Sequence, residues 1–228
     1  MAPAPKALAG ERAMPPTIQQ SADFWDDACK HLSKRDRVMK KLIPRYADDR
    51  LESRGDAFTT LARSIVGQQI SVKAAQAVWE RFVALTAGPT HLLEPASVLA
   101  LDAPQIRAAG LSARKVEYLC DLAQHFESGT VHVAEWQQMD DEAIIEELIA
   151  IRGIGRWTAE MFLIFHLLRP NVLPLDDVGL IKGISVNYFS GEPVSRAEAR
   201  EVGDAWAPYR SVATWYIWRS LDPLPVSY

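Results

Sequence analysis

The sequence predicts an all-α protein. Apolar residues recur at helical spacing in one segment after another. Almost no stretch alternates apolar and polar for long enough to make a strand. Glycine and proline, 12 and 14 in the chain, cut the 228 residues into segments of helical length. With 48% hydrophobic residues, the chain can bury one sizeable core or two small lobes sharing a cleft.

Taken in order, residues 1–20 (MAPAPKALAGERAMPPTIQQ) are rich in Ala and Pro and lack the apolar run of a signal peptide, so a mobile tail is expected. In SADFWDDACKHL, Ser21 offers an N-cap, and Phe24, Trp25, Ala28 and Leu32 share a stripe. DAFTTLARSIVGQQI places Phe58, Leu61, Ile65 and Val66 in the same pattern, and SVKAAQAVWERFVAL follows. In LSARKVEYLCDLAQHF, Ser112 caps a helix with the apolar face Val116, Leu119, Cys120, Ala123 and Phe126. DDEAIIEELIAI opens with acidic residues in its first turn, where the helix dipole favours them. GRWTAEMFLIFHLL, DDVGLIKGISVNYF, SRAEAREVGDAW and SVATWYIWRSL complete about ten helices, without an internal repeat. LRPNVLPLDD stands out as an irregular, proline-flanked segment, a natural place for function.

Composition narrows the function classes. Cys29 and Cys120 are the only cysteines, too few for a disulfide framework or a thiolate metal site, and read as buried apolar fillers. No apolar run reaches the roughly 20 residues that span a bilayer, so an intracellular, soluble protein is expected. The net charge of −4 gives no general pull toward phosphate. Between Lys34 and Arg54, however, eight basic residues face four acidic ones, as a solvated helix face or a binding surface would.

The most informative stretch is LIAIRGIGRWTAEMF, residues 148–162. Gly153 and Gly155 flank Ile154, so two helices meet in a tight hairpin. Glycine there admits positive φ and a close-approaching ligand. The amides of the turn and of the new helix would point outward and attract an anion such as a DNA phosphate. An ordinary C-cap glycine followed by a loop glycine would produce the same letters.

This stretch resembles the helix-hairpin-helix of the base-excision DNA glycosylases, whose pattern is L-P-G-h-G-x-x-T-A, with Arg152 here in place of proline. That superfamily carries an essential aspartate after the second hairpin helix. In NVLPLDDVGLIKG the D-x-x-h pattern selects Asp177, leaving Asp176 as an N-cap or supporting group. In isolation both aspartates would read simply as helix caps. LARSIVGQQISVKAA (61–75), AGLSARKVEYL (109–119) and WAPYRSVATWYIWRS (206–220) are similar, in order and spacing, to the DNA-3-methyladenine glycosylase II branch.

The resemblance implies two helical lobes flanking an active-site cleft, in a glycosylase domain over 21–228. Central helices, about 56–165, would form one lobe; the terminal segments, about 21–55 and 166–228, would form the other. It implies Asp177 as the catalytic carboxylate, Trp157 and Trp218 lining the base pocket, and Gln69 as the wedge that fills the gap left by an everted base. Gln68 and Gln69 could instead satisfy loop backbone groups. Gly153, Gly155, Arg152 and Thr158 would hold phosphate. The carbonyls of Ile149, Ile151 and Ile154 would hold a structural Na+ or K+; no cofactor is required.

The position after Arg156 decides the reaction type. Nicking relatives carry a lysine there to form a Schiff base, whereas this chain has Trp157, so simple hydrolysis is expected. No cysteine follows Cys120, which excludes a four-cysteine iron–sulfur centre. Trp25, Trp79, Trp136, Trp206 and Trp215 read as core. The implied partner is double-stranded DNA with alkylated bases, met by a monomer in the bacterial cytoplasm or a nucleus, with no membrane role. Two other readings stand beside this one: a non-catalytic damage-binding protein, which retention of Asp177 disfavours, and a bifunctional glycosylase/lyase, which Trp157 disfavours.

Overall fold

The computed structural model describes residues 23–47, 50–53, 55–86 and 93–221. Among them, the ordered elements are α1 (Trp25–Arg35), α2 (Met39–Leu42), the 3-10 turn η1 (Ile43–Tyr46), α3 (Ala57–Gly67), α4 (Val72–Thr86), α5 (Pro95–Leu99) and α6 (Ala103–Ala108). They continue with α7 (Ala113–Glu127), α8 (Asp141–Ile149), α9 (Arg156–Phe165), α10 (Val178–Tyr188), α11 (Arg196–Asp204) and α12 (Arg210–Leu221). The architecture is therefore all-α. The expected tail lies outside the described residues, as does Ser21, and the N-cap of α1 is Phe24 without any side-chain cap. Short helices α2, α5 and α6 were not evident in the periodicity, because four to six residues are too few to display a stripe. The capping box of α6, Asp102 with Gln105, was the available signal.

One hydrophobic cluster runs through the molecule. Helices α3 to α9 pack on one another, with α7 against α3, α5 and α6, and α8 against α9. The first and last helices come together on the other side. Trp25 meets Trp215 edge to face at 5.3 Å, and Asp36 Oδ2 accepts from Tyr188 Oη (2.7 Å) and Trp206 Nε1 (3.2 Å). Five tryptophans are core as expected: Trp25, Trp79, Trp136, Trp206 and Trp215 are each buried. On α7, Leu122 is buried where Cys120 and Phe126 are only half-buried, so the apolar face is rotated slightly from the expected one. Both cysteines are free and half-buried rather than fully buried. Cys29 Sγ, 3.3 Å from Tyr216 Oη, does more than fill space. Among the described residues, no helix is long and apolar enough to cross a membrane.

The irregular segment after α9 is pinned over its first residues. Ser211, buried in α12, donates to the Arg169 carbonyl (2.6 Å) and accepts from Val172 N–H (2.9 Å), while its own N–H reaches the Pro170 carbonyl (3.0 Å). Arg169 donates to the carbonyls of Trp136 and Met139. Local turns, Leu175 N–H to the Leu173 carbonyl (3.0 Å) and Asp177 N–H to the Pro174 carbonyl (2.9 Å), then lead into α10.

Candidate active site

Asp177 is the N-cap of α10, with Oδ1 accepting the Leu180 N–H at 2.6 Å. The cap assigned to Asp176 from sequence is thus held by Asp177. Asp176 instead pairs with Arg196 at 2.7 Å on the surface, because only the residue directly before the first helical turn can reach that turn's amides. Two indoles close on the same carboxylate: Trp218 Nε1 donates to Oδ1 at 2.8 Å and Trp157 Nε1 to Oδ2 at 2.9 Å. Three elements converge here, since Trp157 lies in the first turn of α9 and Trp218 near the end of α12. Trp218 stacks on Phe165 (5.6 Å, 12°), a support that nothing in the local sequence signals.

The approach of α12 to α10 depends on small residues. A Cβ at Gly183 would lie 2.2 Å from Ile217 Cγ2, and one at Gly179 would lie 3.0 Å from Asp177 Oδ1 and 3.3 Å from Trp218 Cδ1. Glycine at these places lets the Trp218 indole reach the carboxylate. Trp157 is 39% exposed and Val178 80% exposed, so this corner opens to the surface.

The hairpin lies at the opposite end of Trp157. Gly153 has φ +87°, and a Cβ there would meet Tyr118 Cδ2 at 2.2 Å, so both backbone and packing require glycine. Gly155, the N-cap of α9, faces open space. Not every turn amide is free, contrary to the sequence reading. Arg152 N–H bonds Asp121 Oδ2 (2.8 Å) and Ile154 N–H bonds the Ile151 carbonyl (3.1 Å), because α7 packs beneath the turn. Among the described residues, the N–H groups of Gly153, Gly155, Arg156 and Trp157 meet no acceptor. The Arg152 side chain pairs with Glu117 (3.0 Å) at the exposed surface, and Thr158 is half-buried in the first turn of α9. Ile151 and Ile154 are buried, while Ile149 is 44% exposed. Gly153 and Gly155 are therefore brought together with Trp157, and through it with Asp177.

Gln69, exposed in the α3–α4 loop, has φ +59°, a left-handed conformation costing a non-glycine residue roughly 1–2 kcal/mol. Its neighbour Gln68 does satisfy a backbone group, donating to the Gly153 carbonyl at 2.8 Å. Sequence reasoning missed Lys115, which donates to the carbonyls of Val66 and Gln68 at 2.7 Å each. It missed Glu160 as well. This buried residue bonds Arg156 Nε at 3.1 Å, and burial pushes its carboxyl up to about 7 despite that arginine. The i, i+4 spacing of Arg156 and Glu160 was the signal. Among the described residues no group of three or more His, Cys, Asp or Glu could hold a metal ion.

Residues 62–208 match the family described as HhH-GPD superfamily base excision DNA repair protein. The chain is 33% identical over 194 residues to DNA-3-methyladenine glycosylase 1 of Schizosaccharomyces pombe, covering 83% of this chain and 85% of that one. It superposes on the crystal structure of a DNA-3-methyladenine glycosidase from Bacillus halodurans with TM-score 0.81 and 36% identity, over 89% and 92% of the two chains. An S. pombe 3-methyladenine DNA glycosylase in complex with abasic DNA superposes with TM-score 0.70 and 30% identity, over 88% of this chain and 100% of that one.

Proposed function

The chain belongs to the HhH-GPD superfamily of base excision DNA repair proteins, and from that premise we propose that it is a monofunctional DNA glycosylase. It hydrolyses the N-glycosidic bond of alkylated bases in duplex DNA and leaves an abasic site in an unbroken strand. The observation that carries this reading is the Asp177 carboxylate, fixed by two indole N–H groups and a helix amide beside an exposed tryptophan.

The chemistry follows from charge. A base alkylated on a ring nitrogen, as in 3-methyladenine or 7-methylguanine, is cationic and leaves as a neutral molecule with the bonding electron pair. Positive charge then builds on the sugar, and a preorganised carboxylate stabilises it. Water supplies the oxygen that bonds the anomeric carbon, and its proton passes to a base such as Asp177. A carboxylate has about four lone-pair sites. The three donors at Asp177 leave it capacity to face the sugar or orient the water. The position that would hold a Schiff-base lysine is Trp157, so the strand stays intact.

Trp157 and Trp218 offer indole faces to the everted base, and a cationic base gains about 0.5–2 kcal/mol on such a face over a neutral one. Gln69 fills the vacated stack or hydrogen-bonds the orphaned partner base. Gly153 and Gly155 admit the phosphate to the free amides, with Thr158 beside them and Arg152 contributing once it leaves Glu117. The hairpin also suits a structural Na+ or K+. Among the described residues the Ile149 and Ile154 carbonyls accept no backbone hydrogen bond, whereas that of Ile151 already accepts one. The protein acts as a monomer, where the chromosome is, and needs no cofactor for the chemistry.

Incubation with methylated duplex DNA tests this reading. Free base without strand nicks before alkali treatment is expected. Neither product would indicate a damage-binding protein, and nicks would indicate a lyase.

A further inference from the structure

We propose that Lys115 is a positioning residue: through α7 it ties the Gln69 loop to the Gly153 hairpin, so that the wedge enters DNA at a set distance from the phosphate grip. The assignment rests on the glycosylase reading for the meaning of the wedge, and on geometry alone for the bracing. Lys115 Nζ donates to the carbonyls of Val66 and Gln68, two of the three residues that precede Gln69, at 2.7 Å each. It is half-buried, and burial lowers its pKa from the ordinary lysine value, so the ammonium sits among carbonyl dipoles rather than in open water. From the other side of the loop, Gln68 Nε2 donates to the Gly153 carbonyl at 2.8 Å.

The same helix holds the hairpin. One turn after Lys115, the Tyr118 ring occupies the space that a Cβ at Gly153 would need. One turn further, Asp121 Oδ2 accepts the Arg152 N–H at 2.8 Å, and Glu117 pairs with the Arg152 side chain. Lys115, Tyr118 and Asp121 are spaced three apart and so share a face of α7. A left-handed Gln69 is held only if the residues around it are fixed, and the two Lys115 bonds fix the carbonyls that precede it. Lysine suits the task because a point charge with three rotatable donors can serve two carbonyls at once.

The test separates positioning from general support of the fold. Single-turnover base release is measured for wild type, Lys115→Met and Lys115→Arg on two methylated duplexes. In one the lesion is paired normally; in the other it lies opposite an abasic tetrahydrofuran residue, which leaves no partner base to unpair. Lys115→Met is expected to lose about tenfold on the paired duplex and under about threefold on the unpaired one, since only pairing makes eversion costly. Lys115→Arg, which keeps the charge and donors, recovers most of the rate. Gln68→Leu, cutting the second tie, shows the same selectivity. Equal losses on both duplexes, or a wild-type rate for Lys115→Met on the paired one, would overturn the assignment. A chemistry-free arm uses 2-aminopurine opposite a tetrahydrofuran residue, whose fluorescence rises when a wedge unstacks it. Lys115→Met is expected to reduce that rise, and an unchanged rise overturns the proposal. This arm reads out even if the wild type releases no base, an outcome that would sink the glycosylase reading alone.

Discussion

At the start of α9 the N-cap is Gly155, with no side chain to accept the first amides, and a Cβ placed there would meet nothing within 4 Å. At the start of α10 the N-cap is Asp177, whose Oδ1 takes the Leu180 N–H while two indoles close on the same carboxylate. Both helix ends carry the partial positive charge of aligned peptide dipoles. In α10 that charge is met by the chain's own anion. In α9 no side chain of the protein caps the first amides, and Glu142 and Glu160 are both bonded by the Arg156 side chain. Trp157 bridges the two ends, in the first turn of one and hydrogen-bonded to the cap of the other. A bare helix end and a filled one thus stand side by side, and on the proposed reading the bare end takes the DNA phosphate beside a fixed negative charge.

The largest effect should come from removing that charge while keeping the cap. Asp177→Asn keeps an oxygen for the Leu180 and Trp218 N–H groups but turns its amide toward the Trp157 N–H, so unfolding free energy should fall by only about 1 kcal/mol in urea titrations, while base release falls about 100- to 1000-fold. A parallel collapse of stability would assign Asp177 to the fold alone. At the hairpin, Gly153→Ala meets both the Tyr118 ring and a positive φ, and a loss of about 2–4 kcal/mol in unfolding free energy is expected. Converting the bare end into a filled one tests the comparison most directly. Gly155→Asp should stabilise the fold by about 0.5–1 kcal/mol through a new cap, yet weaken affinity for duplex DNA about tenfold as its carboxylate repels the phosphate. Unchanged DNA affinity would mean that the α9 amides do not grip phosphate.

An effect confined to part of the pH range concerns Glu160, one turn into α9. Its carboxyl is raised to about 7 by burial, so the folded state holds the proton more tightly than the unfolded state. Stability should therefore decline as pH rises from about 4.5 to about 7 and level off above. Glu160→Gln should match wild type at pH 5 and exceed it at pH 8 by about 1–2 kcal/mol in urea titrations. A wild-type pH profile in the variant would show that Glu160 is not the titrating group.

Much of this was legible in the sequence. Phe58, Leu61, Ile65 and Val66 are buried as their spacing required, and Ser112 caps α7 as its position required. The glycines at 153 and 155 marked the hairpin, and the irregular segment marked the entry to Asp177. Other features stayed hidden because they join distant positions. Lys115 reads as one more surface lysine until α7 lies beneath the 66–68 carbonyls. That Arg152 pairs with Glu117 through its side chain and with Asp121 through its N–H is likewise invisible in the sequence. The sequence offers Trp157 and Trp218 as stacking surfaces but does not show that their N–H groups also hold a carboxylate.

By itself the sequence determined the longer helices, most of their apolar faces, the hairpin and the residue types available for chemistry, because those depend on periodicity, capping and φ preferences over a few neighbours. Tertiary structure alone decided which aspartate caps α10, which amides of the hairpin remain free and which side chains brace the Gln69 loop. Those outcomes depend on hydrogen bonds and close contacts between residues tens of positions apart, such as Trp218 to Asp177 and Tyr118 against Gly153. Local sequence carries no record of such pairings until packing has set the distances.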